Sequence, residues 1–153
     1  GFKDGRVNNK AIELSNMLNT AGIETVYSTN VMVPVWEKYI MMCGNSCVFS
    51  YFECPAGEVH KDPEKMKYIK DVYTELCSLA EANGVKVSDI LVEKYMETFS
   101  RLPEGAITSL YRDITDKKPN TEFDAIIGKA YTMAHKLGVK TPCIDKVYTK
   151  YKP

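Results

Sequence analysis

The chain of 153 residues is 44% hydrophobic and 26% charged, which is ordinary for a globular protein. This length predicts one domain, with enough apolar side chains to form a core without disulfides. Twenty basic residues balance twenty acidic ones, and the lysines of segment 61–70 alternate with acidic residues. That alternation is typical of a solvated helix face, so nucleic acid is not an expected partner.

Other classes of site lack their sequence signals. The uncharged run 39–52 is shorter than the ~18–20 residues of a membrane span, and no secretory signal opens the chain, so we expect a cytoplasmic protein with no membrane partner. The five cysteines form no Cys-x-x-Cys pair and only two histidines are present, which predicts free thiols and no metal site. The glycines lack the Gly-x-Gly spacing of a dinucleotide site.

Helical patterns follow one another along the whole chain, and strand signals are nearly absent. In chain order, the predicted helices cover residues 8–21, about 31–52, 62–83, 88–102, 106–116, 121–138 and a short segment from Thr141. A short extended link is predicted at 23–27 and a loop at 54–57. The predicted fold class is therefore all-α, with about seven helices.

The predicted bounds depend on capping residues. Helix ends are predicted at Gly22, Gly84 and Gly138. Asp62-Pro63 is a strong helix start, because an N-cap is followed by a proline at the first position. Ser88 and Thr121 are predicted N-caps, and Asp124 completes a pattern like a capping box with Thr121. Gly128, inside a helical pattern, costs about 1 kcal/mol relative to alanine and predicts a close helix approach.

Segment 31–52 is the most informative stretch, because its only charged residues are the adjacent Glu37 and Lys38. A helix that is apolar on nearly every face is buried by its neighbours. Lys38 therefore either reaches solvent at a helix edge or places a partly desolvated ammonium in a cleft. An ammonium of the second kind gives up its proton readily near neutral pH and can act as a general acid.

Two further segments carry candidate residues. Ser109 and Asp113 are four residues apart, so they share a face of the predicted helix. Ser109 is either a mid-helix hydroxyl bonded to a backbone carbonyl or a group that binds a substrate carboxylate. Asp113 is either an ion-pairing carboxylate or a member of the same substrate site. Glu122 lies in the first turn of the next helix, where an acidic side chain complements the helix dipole.

Several short sequences follow one another in an order typical of one protein family. They are Ala21-Gly22-Ile23, Trp36-Glu37-Lys38, Pro55-Ala56-Gly57-Glu58, Asn83-Gly84-Val85, Thr108 to Ile114, Thr121 to Gly128 and His135 to Pro142. Together they resemble the C-terminal domain of the ketopantoate reductase (2-dehydropantoate 2-reductase) family. The serine helix, followed by Thr-Glu and a helical glycine, is the most specific part of the resemblance.

The resemblance implies that residues 1–153 form a C-terminal helical domain that binds substrate and carries catalytic groups, like the C-terminal domains of 6-phosphogluconate-dehydrogenase-like oxidoreductases. In the family an N-terminal Rossmann domain precedes it and binds NADPH. The lysine matching Lys38 acts as general acid on the carbonyl oxygen of a small 2-oxo acid. The residues matching Glu122 and Ser109 contact substrate, and Glu122 also positions the lysine.

The chain departs from the family pattern on the helix of Lys38. Well-studied members place asparagines one and two turns after the lysine, where this chain has Met42 and Ser46. Asn45 and Ser46 are the polar groups left there to contact substrate. The departure puts in doubt which 2-oxo acid is reduced.

Two functions from different classes follow. The first is the catalytic half of an NADPH-dependent 2-oxo-acid reductase of pantothenate biosynthesis, interpreted as a piece of a longer protein because Gly1-Phe2-Lys3 is an abrupt start. We expect this half alone to be inactive, not to bind NADPH detectably, and to self-associate, with a homodimer as the expected assembly. The second is a non-catalytic helical interaction or dimerisation module that kept the fold.

Overall fold

The computed structural model describes residues 1–152, and these residues form eight α-helices, one π-helical turn and no strand. The helices are α1 (Asn9–Thr20), α2 (Met32–Phe52), α3 (Ala56–His60), α4 (Pro63–Ala82), α5 (Leu91–Ser100), α6 (Ser109–Thr115), α7 (Lys129–Leu137) and α8 (Pro142–Tyr151). The π turn Asp124–Gly128 leads directly into α7. The predicted all-α class is confirmed.

The chain divides into two compact units, Gly1–Trp36 and Glu37–Pro153. In the first unit, α1 is held to the extended link that follows it. The Ser15 hydroxyl donates to the Thr25 carbonyl at 3.2 Å, and Asn19 exchanges two hydrogen bonds with the Thr25 backbone. Several large apolar side chains of this unit remain exposed, among them Val7, Leu14, Met17, Ile23 and Val26.

The second unit is organised around α4, which contacts α3, α5, α7 and α8. Asp62 caps α4 as predicted, because its carboxylate accepts from the backbone N–H groups of Glu64 and Lys65 at 2.9 and 3.3 Å. The largest fully buried side chains come from almost every helix of the unit and include Phe49, Tyr73, Ile69, Leu76, Phe99, Leu110, Ile127 and Ile144. The helices therefore share one hydrophobic core.

Three predicted bounds in this unit were wrong. Residues 54–57 were predicted as a loop, but α3 begins at Ala56, and its first backbone N–H groups donate to the Ala106 and Glu104 carbonyls at 3.0 and 2.9 Å. That pairing keeps Ala106 in a loop, so α6 begins at Ser109, after the Thr108 cap, rather than at Ala106. Helix α5 begins at Leu91 and not at the predicted Ser88 cap.

The predicted capping box at Thr121 is also absent from the structure. The Thr121 hydroxyl accepts from the Phe123 backbone N–H at 3.3 Å, but the Asp124 carboxylate pairs with Lys152 at 3.2 Å. The residues that follow form the π turn rather than a regular first turn. A π turn accommodates one more residue per turn than an α-helix and is frequent at functional sites.

Of these two helical glycines, Gly44 and not Gly128 marks the closer approach of a neighbouring helix. A Cβ at Gly44 of α2 would overlap the Tyr73 ring of α4, whereas a Cβ at Gly128 would lie 3.6 Å from the Tyr148 ring, in ordinary contact. Gly84 and Gly138 end α4 and α7 with φ of 78° and 68°. Only glycine adopts that left-handed conformation without steric cost, so both predicted ends are confirmed.

Candidate active site

Helix α2 presents one solvent-facing stripe in the second unit. Lys38 and Met42 are exposed on this stripe and Asn45, one turn further on, is half-buried. The Lys38 ammonium forms no hydrogen bond or ion pair with any residue of the described range 1–152. This placement agrees with the helix-edge interpretation for this chain, and it leaves the cation available to an external group.

Two hydrogen bonds tie the residues on either side of Lys38 to other parts of the second unit. The Tyr95 hydroxyl of α5 donates to the Glu37 carbonyl at 2.9 Å. The Tyr39 hydroxyl donates to the Ile126 carbonyl in the π turn at 2.7 Å. The side chain of Lys38 thus starts from a backbone position held by α5 on one side and by the π turn on the other.

Further hydrogen bonds hold α2 beyond Lys38. Tyr73 of α4 donates to the Asn45 side-chain oxygen at 2.5 Å. At the C-terminal end of α2, Lys150 and Tyr151 of α8 donate to the Tyr51 and Ser50 carbonyls at 2.8 and 2.7 Å. These bonds satisfy carbonyls that a helix end leaves unpaired. Helix α2 is therefore a rigid support for the exposed lysine.

Burial raises the pKa of the two supporting tyrosines further above neutral pH. Desolvation raises the pKa of Tyr95 to about 12, with a further contribution from the nearby Glu37 charge. Burial also raises the pKa of Tyr39 well above its usual range, while a hydrogen bond from the Ala130 backbone opposes this shift. Both hydroxyls remain hydrogen-bond donors throughout the physiological pH range.

Glu122 immediately precedes the π turn. Its backbone carbonyl accepts from the Ile126 N–H at 2.9 Å, and its side chain is exposed with no partner among the residues described. The Tyr39–Ile126 bond therefore links the helix that carries Lys38 to the segment that carries Glu122. Within this part of the chain no ion pair within 4.0 Å joins Lys38 to Glu122, and their pairing stays a prediction.

Ser109 begins α6, and Asp113 lies one turn later on the same helix. Ser109 is the first helical residue and is exposed, so the mid-helix alternative for its hydroxyl was wrong. Asp113 pairs with Lys118 at 2.5 Å, as expected for an ion-pairing carboxylate. No hydrogen bond or ion pair of the described residues ties Ser109 to Lys38 or Glu122.

The polar groups predicted further along α2 are less accessible. Ser46 is only 1% exposed, so a substrate contact by its hydroxyl would require neighbouring side chains to move. Asn45 is half-buried, and its side-chain oxygen is already bonded to Tyr73. Met42, by contrast, is 38% exposed. The exposed surface one turn from Lys38 is therefore apolar.

Sequence reasoning missed Tyr39 and Tyr95. A buried tyrosine hydroxyl needs a hydrogen-bond partner, and a tyrosine beside a lysine in an apolar helix was a usable signal for Tyr39. For Tyr95 no local pattern pointed to the Glu37 carbonyl. The hydrogen-bond partners of both tyrosines become apparent only in the three-dimensional fold.

Outside the candidate site, the buried carboxylate of Glu75 has a structural role. The Glu75 carboxylate is buried and accepts from the Cys143 and Ile144 backbone N–H groups at 2.8 and 3.1 Å, which caps α8. The five cysteines are free thiols. Residues 1–152 hold no cluster of side chains suited to a metal ion, and none of their helices has the length and apolar character of a bilayer span.

The sequence of the chain matches a known family. Residues 30–153 match the family described as "Ketopantoate reductase PanE/ApbA C terminal". Because this match covers most of the chain, the protein belongs to the ketopantoate reductase family, as the sequence motifs predicted.

The related proteins show how much of the family this chain contains. It is 25% identical over 130 residues to a 2-dehydropantoate 2-reductase of Streptococcus pyogenes, a match that covers 85% of this chain and 42% of that protein. The chain therefore spans less than half the length of this curated relative.

Solved structures share the fold. A dimeric ketopantoate reductase from Staphylococcus aureus superposes with a TM-score of 0.81 at 23% identity, covering 95% of this chain and 50% of that one. A D-mandelate dehydrogenase in a ternary structure with NADH and anilino(oxo)acetate superposes with a TM-score of 0.73 at 21% identity, covering 92% and 60%.

Proposed function

We propose that the full-length protein reduces a small 2-oxo acid, with 2-dehydropantoate as the first candidate, and that this chain supplies the proton. The hydride would come from NADPH, which an N-terminal Rossmann domain would mainly bind. The carbonyl carbon gains that hydride, the carbonyl oxygen gains a proton, and the product is a 2-hydroxy acid. The names of the relatives in the family support this reaction class.

Lys38 is the proton donor in this proposal. Negative charge develops on the carbonyl oxygen as the hydride arrives, and an ammonium within hydrogen-bond distance stabilises that charge and then transfers its proton. The observation that carries the assignment is the exposed, unpartnered Lys38 side chain on a backbone fixed by Tyr95 and Tyr39. A domain that covers this surface would desolvate the ammonium and strengthen both effects.

The remaining site residues have supporting roles. Glu122 orients the Lys38 ammonium and contacts substrate, and its unpaired carboxylate is free to do so. The exposed Ser109 hydroxyl binds the substrate carboxylate. Asn45, Ser46 and Asp113 are proposed at the periphery of the substrate site, where their present bonds or burial limit them to small adjustments.

The apolar surface beside Lys38 favours a particular range of substrates. Met42 lies one turn beyond Lys38 and is exposed, where the family resemblance places an amide. An apolar side chain there suits a 2-oxo acid with an aliphatic or aromatic substituent. The D-mandelate dehydrogenase of similar fold binds NADH and an aromatic oxo acid, so NADH and aryl 2-oxo acids belong in any substrate panel.

The proposal also includes a cytoplasmic location and a homodimeric assembly. Five free thiols are typical of a reducing compartment, which supports the cytoplasm. The dimeric Staphylococcus aureus relative supports a homodimer.

The test is Lys38→Ala in the full-length protein, assayed with NADPH and its best 2-oxo acid. We expect kcat to fall by at least about 10²-fold, the usual scale of general acid–base catalysis. Lys94→Ala is the matched control, because Lys94 is also an exposed helical lysine but lies on α5. Near-normal turnover by Lys38→Ala would refute the assigned role.

A further inference from the structure

We propose that Tyr39 is a positioning residue that holds the Glu122 segment against the helix of Lys38. This inference rests on the proposed function, because it concerns the geometry of the same proton-donating site. Tyr39 would contact neither substrate nor cofactor and would act through Glu122.

The first argument is the convergence of two side chains on one carbonyl. The Tyr39 hydroxyl and the Cys43 thiol, one turn apart on α2, both donate to the Ile126 carbonyl, at 2.7 and 3.7 Å. The carbonyl belongs to the π turn, and it is buried with its residue. Because a partly buried hydroxyl without a partner is costly, this bond helps to specify where the turn sits on α2.

The second argument is where the hydroxyl enters the helix. In a regular α-helix the Ala130 N–H would donate to the Ile126 carbonyl, four residues back. Here the Ile126 carbonyl accepts from the Lys129 N–H, only three residues on, and also from the Tyr39 hydroxyl of α2. Insertion of a side chain into the hydrogen-bond ladder is a recognised cause of helix distortion. Tyr39 therefore stabilises the π turn itself.

The third argument is that Ile126 is hydrogen-bonded to the backbone of Glu122. The Ile126 N–H donates to the Glu122 carbonyl at 2.9 Å, so the residue held by Tyr39 also fixes the Glu122 backbone. If the turn relaxed to a regular α-helix, the preceding residues would rotate about the helix axis by roughly 100°, one residue's step. Such a rotation would aim the Glu122 carboxylate away from its present direction.

The experiment uses the full-length protein and compares Tyr39→Phe with Tyr68→Phe. Tyr68 is the matched control, because its buried hydroxyl also bridges two helices, by donating to the Cys143 carbonyl at 2.8 Å. We expect Tyr39→Phe to lower kcat about 10- to 100-fold with KM nearly constant, the usual cost of misplacing a reacting group. We expect Tyr68→Phe to change kcat less than about twofold, because it lies outside this path.

A second readout separates positioning from general destabilisation. If Tyr39 acts through Glu122, Tyr39→Phe causes no further loss of kcat in a Glu122→Gln background. A loss of equal size in both backgrounds, or a loss no larger than that of Tyr68→Phe, would overturn the inference and leave the proposed function standing. Normal turnover by Lys38→Ala would instead remove the proposed function and this inference with it.

Thermal melts establish that each variant is folded at the assay temperature. Should Tyr39→Phe unfold there, Cys43→Ala provides a second variant, because it removes the weaker donor and keeps the Tyr39 hydroxyl. Its expected kcat loss is about 2- to 5-fold and also vanishes with Glu122→Gln. A loss that persists in that background, or no loss at all, would count against the positioning role.

Discussion

Glu75 and Glu122 are two carboxylates of the second unit that differ in burial and in hydrogen bonding. Glu75 is 8% exposed and both of its oxygens accept backbone N–H groups of α8, whereas Glu122 is exposed and unpartnered among residues 1–152. A buried carboxylate without partners would be costly, so Glu75 is satisfied inside the fold. Glu122 contributes little to folding and is left available for an external group.

The same division separates the other polar groups. Tyr68, like Glu75, is bonded inside the core, while Lys38, like Glu122, faces outward from a rigid backbone. Changes to the interior should therefore alter stability and spare the chemistry of folded molecules. Changes to the exposed face should do the reverse, and the following substitutions test that difference.

The largest interior effect is expected for Glu75→Ala. Removing the carboxylate leaves two backbone N–H groups of α8 unpaired and opens a small cavity, which should lower the free energy of unfolding by about 3 kcal/mol. Urea unfolding measures this, with Glu81→Ala, an exposed glutamate on the same helix, as the control. A loss of kcat per folded molecule as large as that expected for Lys38→Ala would contradict this separation of stability from chemistry.

Gly44→Ala should be the next most destabilising change. The added methyl would overlap the Tyr73 ring, so α2 and α4 must separate, at a cost of about 1–3 kcal/mol. Gly105→Ala is the control, because a Cβ there meets nothing within 4 Å. Equal unfolding midpoints for the two variants would show that the close approach is not a constraint.

On the exposed face, Met42→Asn should change specificity. An amide one turn from Lys38 can hydrogen-bond a polar substituent, so kcat/KM for 2-dehydropantoate should rise about tenfold relative to an aryl 2-oxo acid. The free energy of unfolding should stay within about 0.5 kcal/mol. Met17→Asn, at an exposed position of the first unit, should leave the substrate ratio unchanged.

The smallest effect is a pH dependence of stability from Glu75. Burial raises the pKa of this carboxyl above its unfolded value, and hydrogen bonds from Cys143 and Ile144 only partly oppose the shift. Its contribution to stability is therefore full below about pH 4.3, the ordinary pKa, and is lost as the pH rises through the folded pKa.

The measurement is urea unfolding from pH 4 to pH 7 with Glu75→Gln as the non-titrating reference. The stability of the wild-type protein relative to this variant should fall as the pH rises. A constant difference would mean that Glu75 does not titrate differently in the folded protein.

Local signals were enough for much of the fold. The left-handed glycines Gly84 and Gly138 and the Asp62-Pro63 start act within one helical turn, so the sequence predicted these bounds well. Helix α3 and the start of α6 depend instead on hydrogen bonds between segments distant in sequence, from Ala56 to Ala106 and from Gly57 to Glu104. No local pattern specifies such pairing.

The candidate site divides in the same way. Lys38 stood out because it interrupts an apolar helix, and its outward placement follows from the helical period. Glu122 was connected to it only through the family resemblance. The bond from Tyr39 to Ile126 could not be predicted, because it depends on a π turn that has no distinct sequence pattern.

The most direct test of the central claim is the reaction itself. The full-length protein should be incubated with NADPH or NADH and a panel of 2-oxo acids that includes 2-dehydropantoate and aryl glyoxylates. The account predicts oxidation of reduced nicotinamide in step with formation of one 2-hydroxy acid, and loss of that activity in Lys38→Ala. Absence of nicotinamide oxidation with every member of the panel would contradict it and favour the non-catalytic interaction module.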